Sequence, residues 1–218
     1  MERKEKFEQG EFYHIYNRGV EKRVIFQNIS DYKRFMALLY LTNSDKTVEF
    51  RNNSSKNSLD KIFKQDRGKQ LVAIGAYCLM PNHFHLLITP LVDGGISKFM
   101  LKLQTGYSMY FNKKNERVGA LFQGVFQSQH INKDKYLRYI YAYIHLNPAK
   151  LKNPSWKTQP KSFLNQLKKF IAEYPYSSLQ EYVSLDYKIV NSKLFPVNKR
   201  EICNYNTIID DFSEENNR

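Results

Sequence analysis

Two histidines one residue apart, His83-Phe84-His85, are the first side chains in this sequence that suggest chemistry. Successive side chains of a β-strand leave opposite faces. In a strand, both imidazoles would therefore share one face while Phe84, Leu86 and Ile88 fill a core on the other. Two imidazoles so placed suit one cation, although such pairs also arise as unrelated surface or buried histidines. A second group lies in Tyr143-Ile144-His145-Leu146-Asn147-Pro148. On a helix, Tyr136, Tyr139, Tyr143 and Asn147 fall on one stripe, and Tyr141 and His145 point elsewhere. Tyrosines in a row are more often packing than catalysis. A phenol one turn before an amide oxygen, near two histidines, would instead offer a nucleophile and a third metal ligand.

Those groups need elements to hold them. Phe12 to Tyr16 is rich in strand formers and Asn17-Arg18-Gly19 supplies a turn. Ser30 or Asp31 is placed to cap a helix whose apolar positions Phe35, Leu38 and Leu39 follow helical spacing. Leu71 to Met80 predicts a buried strand, Pro81-Asn82 a bend, and His83 to Thr89 the next strand. Ser97 precedes a helical pattern through Met100, Leu103 and Tyr107, and Ala120 to His130 is strand-like. Asn132 or Asp134 then caps the tyrosine helix, which Pro148 ends by disfavouring helical geometry at Asn147. A last amphipathic helix gathers Phe163, Leu164, Leu167, Phe170 and Ile171 before Pro175. The order β-α-β-β-α-β-α predicts an α+β fold with helices packed on one face of a sheet.

Charge narrows the partner. The chain carries 34 Lys and Arg against 21 Asp and Glu, a net of +13. Between Ser97 and Lys169 there are 14 basic residues and two acids, Glu116 and Asp134, so nearly all of the excess sits in a third of the chain. Such a concentration fits a nucleic-acid footprint, and 31 Tyr and Phe would suit base stacking. Beyond Arg200 the sign reverses. Two cysteines, Cys78 and Cys203, with no CxxC pair argue against a disulfide framework or a cysteine-rich zinc site. Met1 to Lys6 lacks the apolar stretch of a secretory signal, and the ten residues from Leu71 to Met80 are too few to span a bilayer. A cytoplasmic protein with no membrane partner is expected.

Tyr77-Cys78-Leu79-Met80-Pro81-Asn82-His83-Phe84-His85-Leu86-Leu87 resembles the HUH signature of single-tyrosine HUH transposases, and more narrowly that of the REP-associated tyrosine transposases. Tyr13-His14-Ile15-Tyr16-Asn17-Arg18-Gly19 resembles their first strand and turn. Leu121-Phe122-Gln123-Gly124-Val125-Phe126 is similar to the block before their tyrosine helix, and Tyr143-Ile144-His145-Leu146-Asn147-Pro148 to that helix and its end. Tyr174-Pro175-Tyr176-Ser177-Ser178 resembles a fifth block, with Tyr176 in place of a Trp. The resemblance covers roughly residues 10 to 183. It implies an HUH-endonuclease-like, ferredoxin- or RRM-like central antiparallel sheet acting on single-stranded or hairpin DNA of repeat elements.

In this resemblance Tyr143 is the catalytic nucleophile, forming a 5′-phosphotyrosine bond and freeing a 3′-hydroxyl, with Tyr139 its nearest rival. His83, His85 and Asn147 hold a divalent metal, Mg²⁺ or Mn²⁺, leaving positions open for phosphate and water. Arg18, Lys135 and Arg138 are candidate phosphate contacts. His14 and His130 read as structural, and no carboxylate stands out as a general base. Residues 1–183 are taken as the catalytic domain, with insertions near 43–70 and 157–173 and a partly ordered extension over 184–218. Oligomeric state stays open between monomer and homodimer. A non-catalytic nucleic-acid-binding module on a related sheet would need the aromatics and the basic stripe without the His-His-Tyr-Asn set. A metal-dependent hydrolase would need further ligands, which Leu86 to Val92 does not provide.

Overall fold

The computed structural model describes residues 6–47 and 59–196. Residues 48–58 of the expected insertion near 43–70, and the acidic tail after Arg200, lie outside the described residues. Strand β1 (Phe12–Arg18) leads to helix α1 (Ile29–Leu41) and the short α2 (Leu59–Ile62). Strands β2 (Val72–Met80) and β3 (His83–Pro90) form a hairpin through Pro81-Asn82, followed by α3 (Gly95–Lys114) and β4 (Gln127–Ile131). Helices α4 (Asp134–Leu146), α5 (Ala149–Lys152), α6 (Lys161–Glu173) and α7 (Leu179–Ser184) complete the chain order. The sheet is antiparallel throughout, in the order β2-β3-β1-β4. With its two crossover helices this is the ferredoxin-like α+β arrangement.

The expected fold class holds, but the helices cover both faces of the sheet. On the Phe84 face, α1 and α3 interdigitate: Phe35 lies 5.1 Å from Phe84 and 5.0 Å from Tyr107, ring centre to ring centre. On the histidine face runs α4, whose Tyr143 ring is 5.4 Å from that of His85. The reason is local: every residue of β2 is apolar or Gly and buried, and a strand that is apolar on both sides needs cover on both.

Capping differs from expectation in detail. Asn28, not Ser30 or Asp31, caps α1, and Asp31 completes the capping box by accepting from the Asn28 backbone N–H. Helix α3 begins at Gly95, two residues before Ser97, and α4 starts after Lys133 with no side-chain cap. Of the strand expected over Ala120 to His130, only the part from Gln127 becomes a strand, while Phe122 makes an isolated antiparallel bridge with Gly19. Gly119 and Gly124 sit at φ 89° and 64°, in the left-handed region, and bend the stretch between them. Leu121 and Phe122 reach the core from this bent stretch, and Phe126 from just beyond it.

Residues 184–196, the described part of the expected extension over 184–218, pack against the rest of the described chain. The Glu181 carboxylate accepts the N–H groups of Lys188, Ile189 and Val190 at 2.8, 2.9 and 3.0 Å, and the Tyr77 hydroxyl at 3.0 Å. Ile189, Val190 and Phe195 are buried in the common core. Phe195 occupies the space that a side chain at Gly75 would fill, since a Cβ there would lie 2.6 Å from its ring. Helix α6 forms as its spacing predicts, burying Leu164, Leu167 and Ile171.

Candidate active site

Antiparallel pairing of β1 with β3 sets Arg18 opposite His83, Tyr16 opposite His85 and His14 opposite Leu87. Facing residues of paired strands leave the same face, so His14, Tyr16, Arg18, His83 and His85 converge there. Helix α4 brings Tyr143 over them, edge-on to His85 and to His14 at ring separations of 5.4 and 5.9 Å. The result is a cavity of about 510 Å³ lined by Tyr16, Arg18, Asn82, His83, His85 and Tyr143, among others. The strand alternation expected for His83 and His85 is what places both on it.

The imidazoles are held neutral. Burial pushes His83 down to about 4, and the positive charges of Lys150 and Arg18 push the same way. His85 lies well below the ordinary imidazole range, first through burial and then through the neighbouring His14, His83 and Lys150. Neutral imidazole is the form that ligates a metal. The tautomer of His83 follows from its neighbour. The Asn82 Nδ2 donates to the Lys22 carbonyl at 3.2 Å, which orients the amide and turns its Oδ1 to His83 Nδ1 at 2.6 Å. An amide oxygen only accepts, so the His83 proton is on Nδ1 and the Nε2 lone pair is free.

The donor set fits a divalent ion that shares its coordination with phosphate and water, rather than a closed structural site. Among the described residues no group of three His, Cys, Asp or Glu is placed to hold a cation. Asn147, expected as a third ligand, is not among the residues that line the histidine cavity. Its side chain is 1% exposed, its Nδ2 donates to the Tyr143 carbonyl at 2.8 Å and its Oδ1 accepts from Lys150 Nζ at 3.3 Å. It satisfies a carbonyl left open at the end of α4. Asn147 also keeps helical geometry at φ −53° and ψ −38° despite the following proline, and the chain turns directly into α5.

The tyrosine stripe is a ladder. Tyr136 and Tyr139 stack at 5.9 Å, and Tyr139 and Tyr143 at 6.2 Å. Of these three only Tyr143 lines the histidine cavity; Tyr139 lines a smaller hollow with Lys150 and Trp156. Arg18 reaches the cavity and donates from Nε to the Gln123 Oε1. Lys135 and Arg138 sit on the exposed side of α4 and do not line it. His130 pairs with Glu11 at 2.6 Å, outside the site.

Sequence reasoning missed His14, Tyr16, Asn82 and Lys150 as site residues. The alternation of β1 carries a signal for the first two, but only the β1–β3 register turns it into proximity. Lys150, whose Nζ lies 5.1 Å from the centre of the Tyr143 ring, comes from α5, just after α4.

Sheet order, helix placement and site together define a ferredoxin-like α+β protein with paired imidazoles on the sheet and a tyrosine on the covering helix. A family model for IS200-like transposases matches residues 21–147, and the chain belongs to that family. The fold is also that of a solved REP-associated tyrosine transposase bound to a REP hairpin. That match has a TM-score of 0.53 at 16% identity and covers 90% of this chain and 88% of the other. No curated protein matches the chain.

Proposed function

We propose that this transposase is a metal-dependent single-stranded DNA endonuclease and strand transferase with Tyr143 as its nucleophile. The observation that supports this best is the meeting of Tyr143 with His83 and His85 at one cavity, flanked by the cations Arg18 and Lys150. The Tyr143 Oη attacks a phosphodiester in line. A bond forms from Oη to phosphorus as the bond from phosphorus to the 3′-oxygen breaks. The phenol proton passes to solvent, and the departing 3′-oxygen takes up a proton to become a hydroxyl. One ester replaces another, in keeping with a sequence that has no GxxxxGK[ST] nucleotide motif. His83 and His85 would hold Mg²⁺ or Mn²⁺, which supplies Lewis-acid polarisation of the phosphate. Arg18 and Lys150 orient the phosphate, and Asn147 keeps its place at the helix end.

The DNA partner is read as single-stranded or hairpin DNA of repeat elements. The solved relative of the same fold binds a REP hairpin, and the charge between Ser97 and Lys169 suits a phosphate backbone. The test is a covalent adduct with a labelled hairpin oligonucleotide on a denaturing gel. Wild type, Tyr139→Phe and Tyr16→Phe should form it and Tyr143→Phe should not, while Tyr143→Phe still binds the DNA. An adduct that survives Tyr143→Phe moves the nucleophile elsewhere.

A further inference from the structure

The two histidines of β3 are anchored differently. The ring of His83 is set by Asn82, whose amide orientation leaves it no choice of tautomer. His85 has its Nδ1 3.0 Å from the Nε2 of His14, with both side chains almost fully buried at 6% and 5% exposure. One proton lies between these two nitrogens, and the geometry of the pair alone allows either ring to be the donor. His14 comes to this place from β1 on the diagonal: it stands opposite Leu87, two residues along from His85, a separation that two long ring side chains bridge. The rings lie 5.1 Å apart and 23° from parallel, with Tyr16 beside both and the edge of Tyr143 over both.

We propose that His14 is a positioning residue that accepts a hydrogen bond from the Nδ1–H of His85 and so turns the Nε2 lone pair of His85 to the cavity. This rests on the reading of His83 and His85 as a metal pair. With His14 accepting, both β3 imidazoles present the same atom, a bare Nε2, to one space, each with its Nδ1–H held by a side-chain acceptor. With His14 donating, the proton of His85 would move to Nε2, and the only lone pair of His85 would be spent on His14. A ligating histidine characteristically donates its other ring N–H to a neighbouring acceptor, which fixes the ring and raises its basicity. In this protein a second imidazole fills a role more often given to a carboxylate or carbonyl.

Two measurements on the full-length protein test it. Long-range ¹H–¹⁵N correlation spectra of histidine-labelled, metal-free protein read the tautomer directly. His85 is expected as Nδ1–H in wild type, and finding it as Nε2–H with His14 donating would overturn the proposal. Mn²⁺ affinity by titration calorimetry is the second. His14→Phe keeps the ring volume and removes the acceptor, and should weaken Mn²⁺ binding by about 10–100-fold. His14→Gln, which restores an acceptor near the same point, should regain most of the loss, and if His14→Phe folds poorly this variant still decides. A His14→Phe protein that folds and binds Mn²⁺ as tightly as wild type refutes the role. If instead wild type and the His83→Ala and His85→Ala variants take up Mn²⁺ alike, the metal-pair reading fails, while the His85 tautomer still decides the His14 contact.

Discussion

Asn147 shows how much a single side chain's partner decides. Four residues after Tyr143 it leaves the same helix face, which made it a natural third ligand. Its Nδ2 instead bonds the Tyr143 carbonyl and its Oδ1 meets Lys150. Asn147→Ala should therefore cost about 1 kcal/mol of stability, the usual loss of a helix-end hydrogen bond, and leave Mn²⁺ affinity unchanged. Thermal melts beside a metal titration check this. A variant that melts normally but binds metal tenfold more weakly would place Asn147 back among the ligands. Tyr143 and Tyr139 make the same point. Both lie on one stripe with stacked rings, yet only Tyr143 reaches the histidine cavity, so only Tyr143→Phe should abolish an adduct.

At the scale of elements, two buried polar links hold the layers in register. Asp31, fully buried in α1, accepts from Lys114 Nζ at 2.6 Å and from the Tyr110 hydroxyl at 2.8 Å on α3. The same carboxylate closes the α1 capping box. Removing Asp31 lets Lys114, whose side chain is 28% exposed, turn to water, but leaves the Tyr110 hydroxyl and the α1 cap without their acceptor. Asp31→Ala should accordingly destabilise the fold by about 2–3 kcal/mol in urea unfolding, more than the loss of a cap alone. A cost below 1 kcal/mol would mean that the α1–α3 contact is carried by its apolar residues alone.

The second link is His145, which fastens α4 to the edge of β2. Its Nε2 is 2.7 Å from Ser178 Oγ, and that oxygen accepts the Tyr77 backbone N–H at 2.9 Å. Burial pushes His145 down to about 3, against about 6.5 for an imidazole in an unfolded chain. Between these values the unfolded chain binds a proton that the folded one does not. The contribution is therefore fully present above about pH 6.5 and is lost as pH falls towards 3. His145→Gln keeps a polar group near Ser178 but cannot titrate, so its stability should fall less steeply with pH across this window. Parallel curves for mutant and wild type would show that His145 does not set the acid limit.

For the whole molecule, charge and sheet act together. The cavity opens among Arg18 and Lys22 from the β1 side, with Lys150 beside it. Further lysines follow along α5 and the loop after it, at Lys152 and Lys157. Hairpin DNA binding should weaken linearly in log affinity against log salt, with a slope of about −0.7 for each single-strand phosphate contacted. Filter binding from 50 to 300 mM salt measures it. A flat line would leave the +12 of residues 97–169 as a solubilising surface.

Much of this architecture is written locally and was therefore legible in the chain. Strand alternation is enough to put His83 and His85 on one face. The 3.6-residue period is enough to align Tyr136, Tyr139 and Tyr143, and turn residues mark the β2–β3 hairpin. Each depends only on neighbours along the chain. What lay beyond the sequence depends on partners far apart in it. The β1–β3 register brings His14 and Tyr16, some 70 residues away, against His85. The seating of α4 over that face separates Tyr143 from Tyr139. The rotamer of Asn147 follows from an open carbonyl and a lysine in the next turn. The same holds for residues 184–196, whose place in the core was set by the Glu181 carboxylate and by the space left at Gly75. The sequence determined which side chains could do chemistry and the period on which they stand. Packing between elements decided which of them meet, because a hydrogen bond or a shared cavity depends on separation in space.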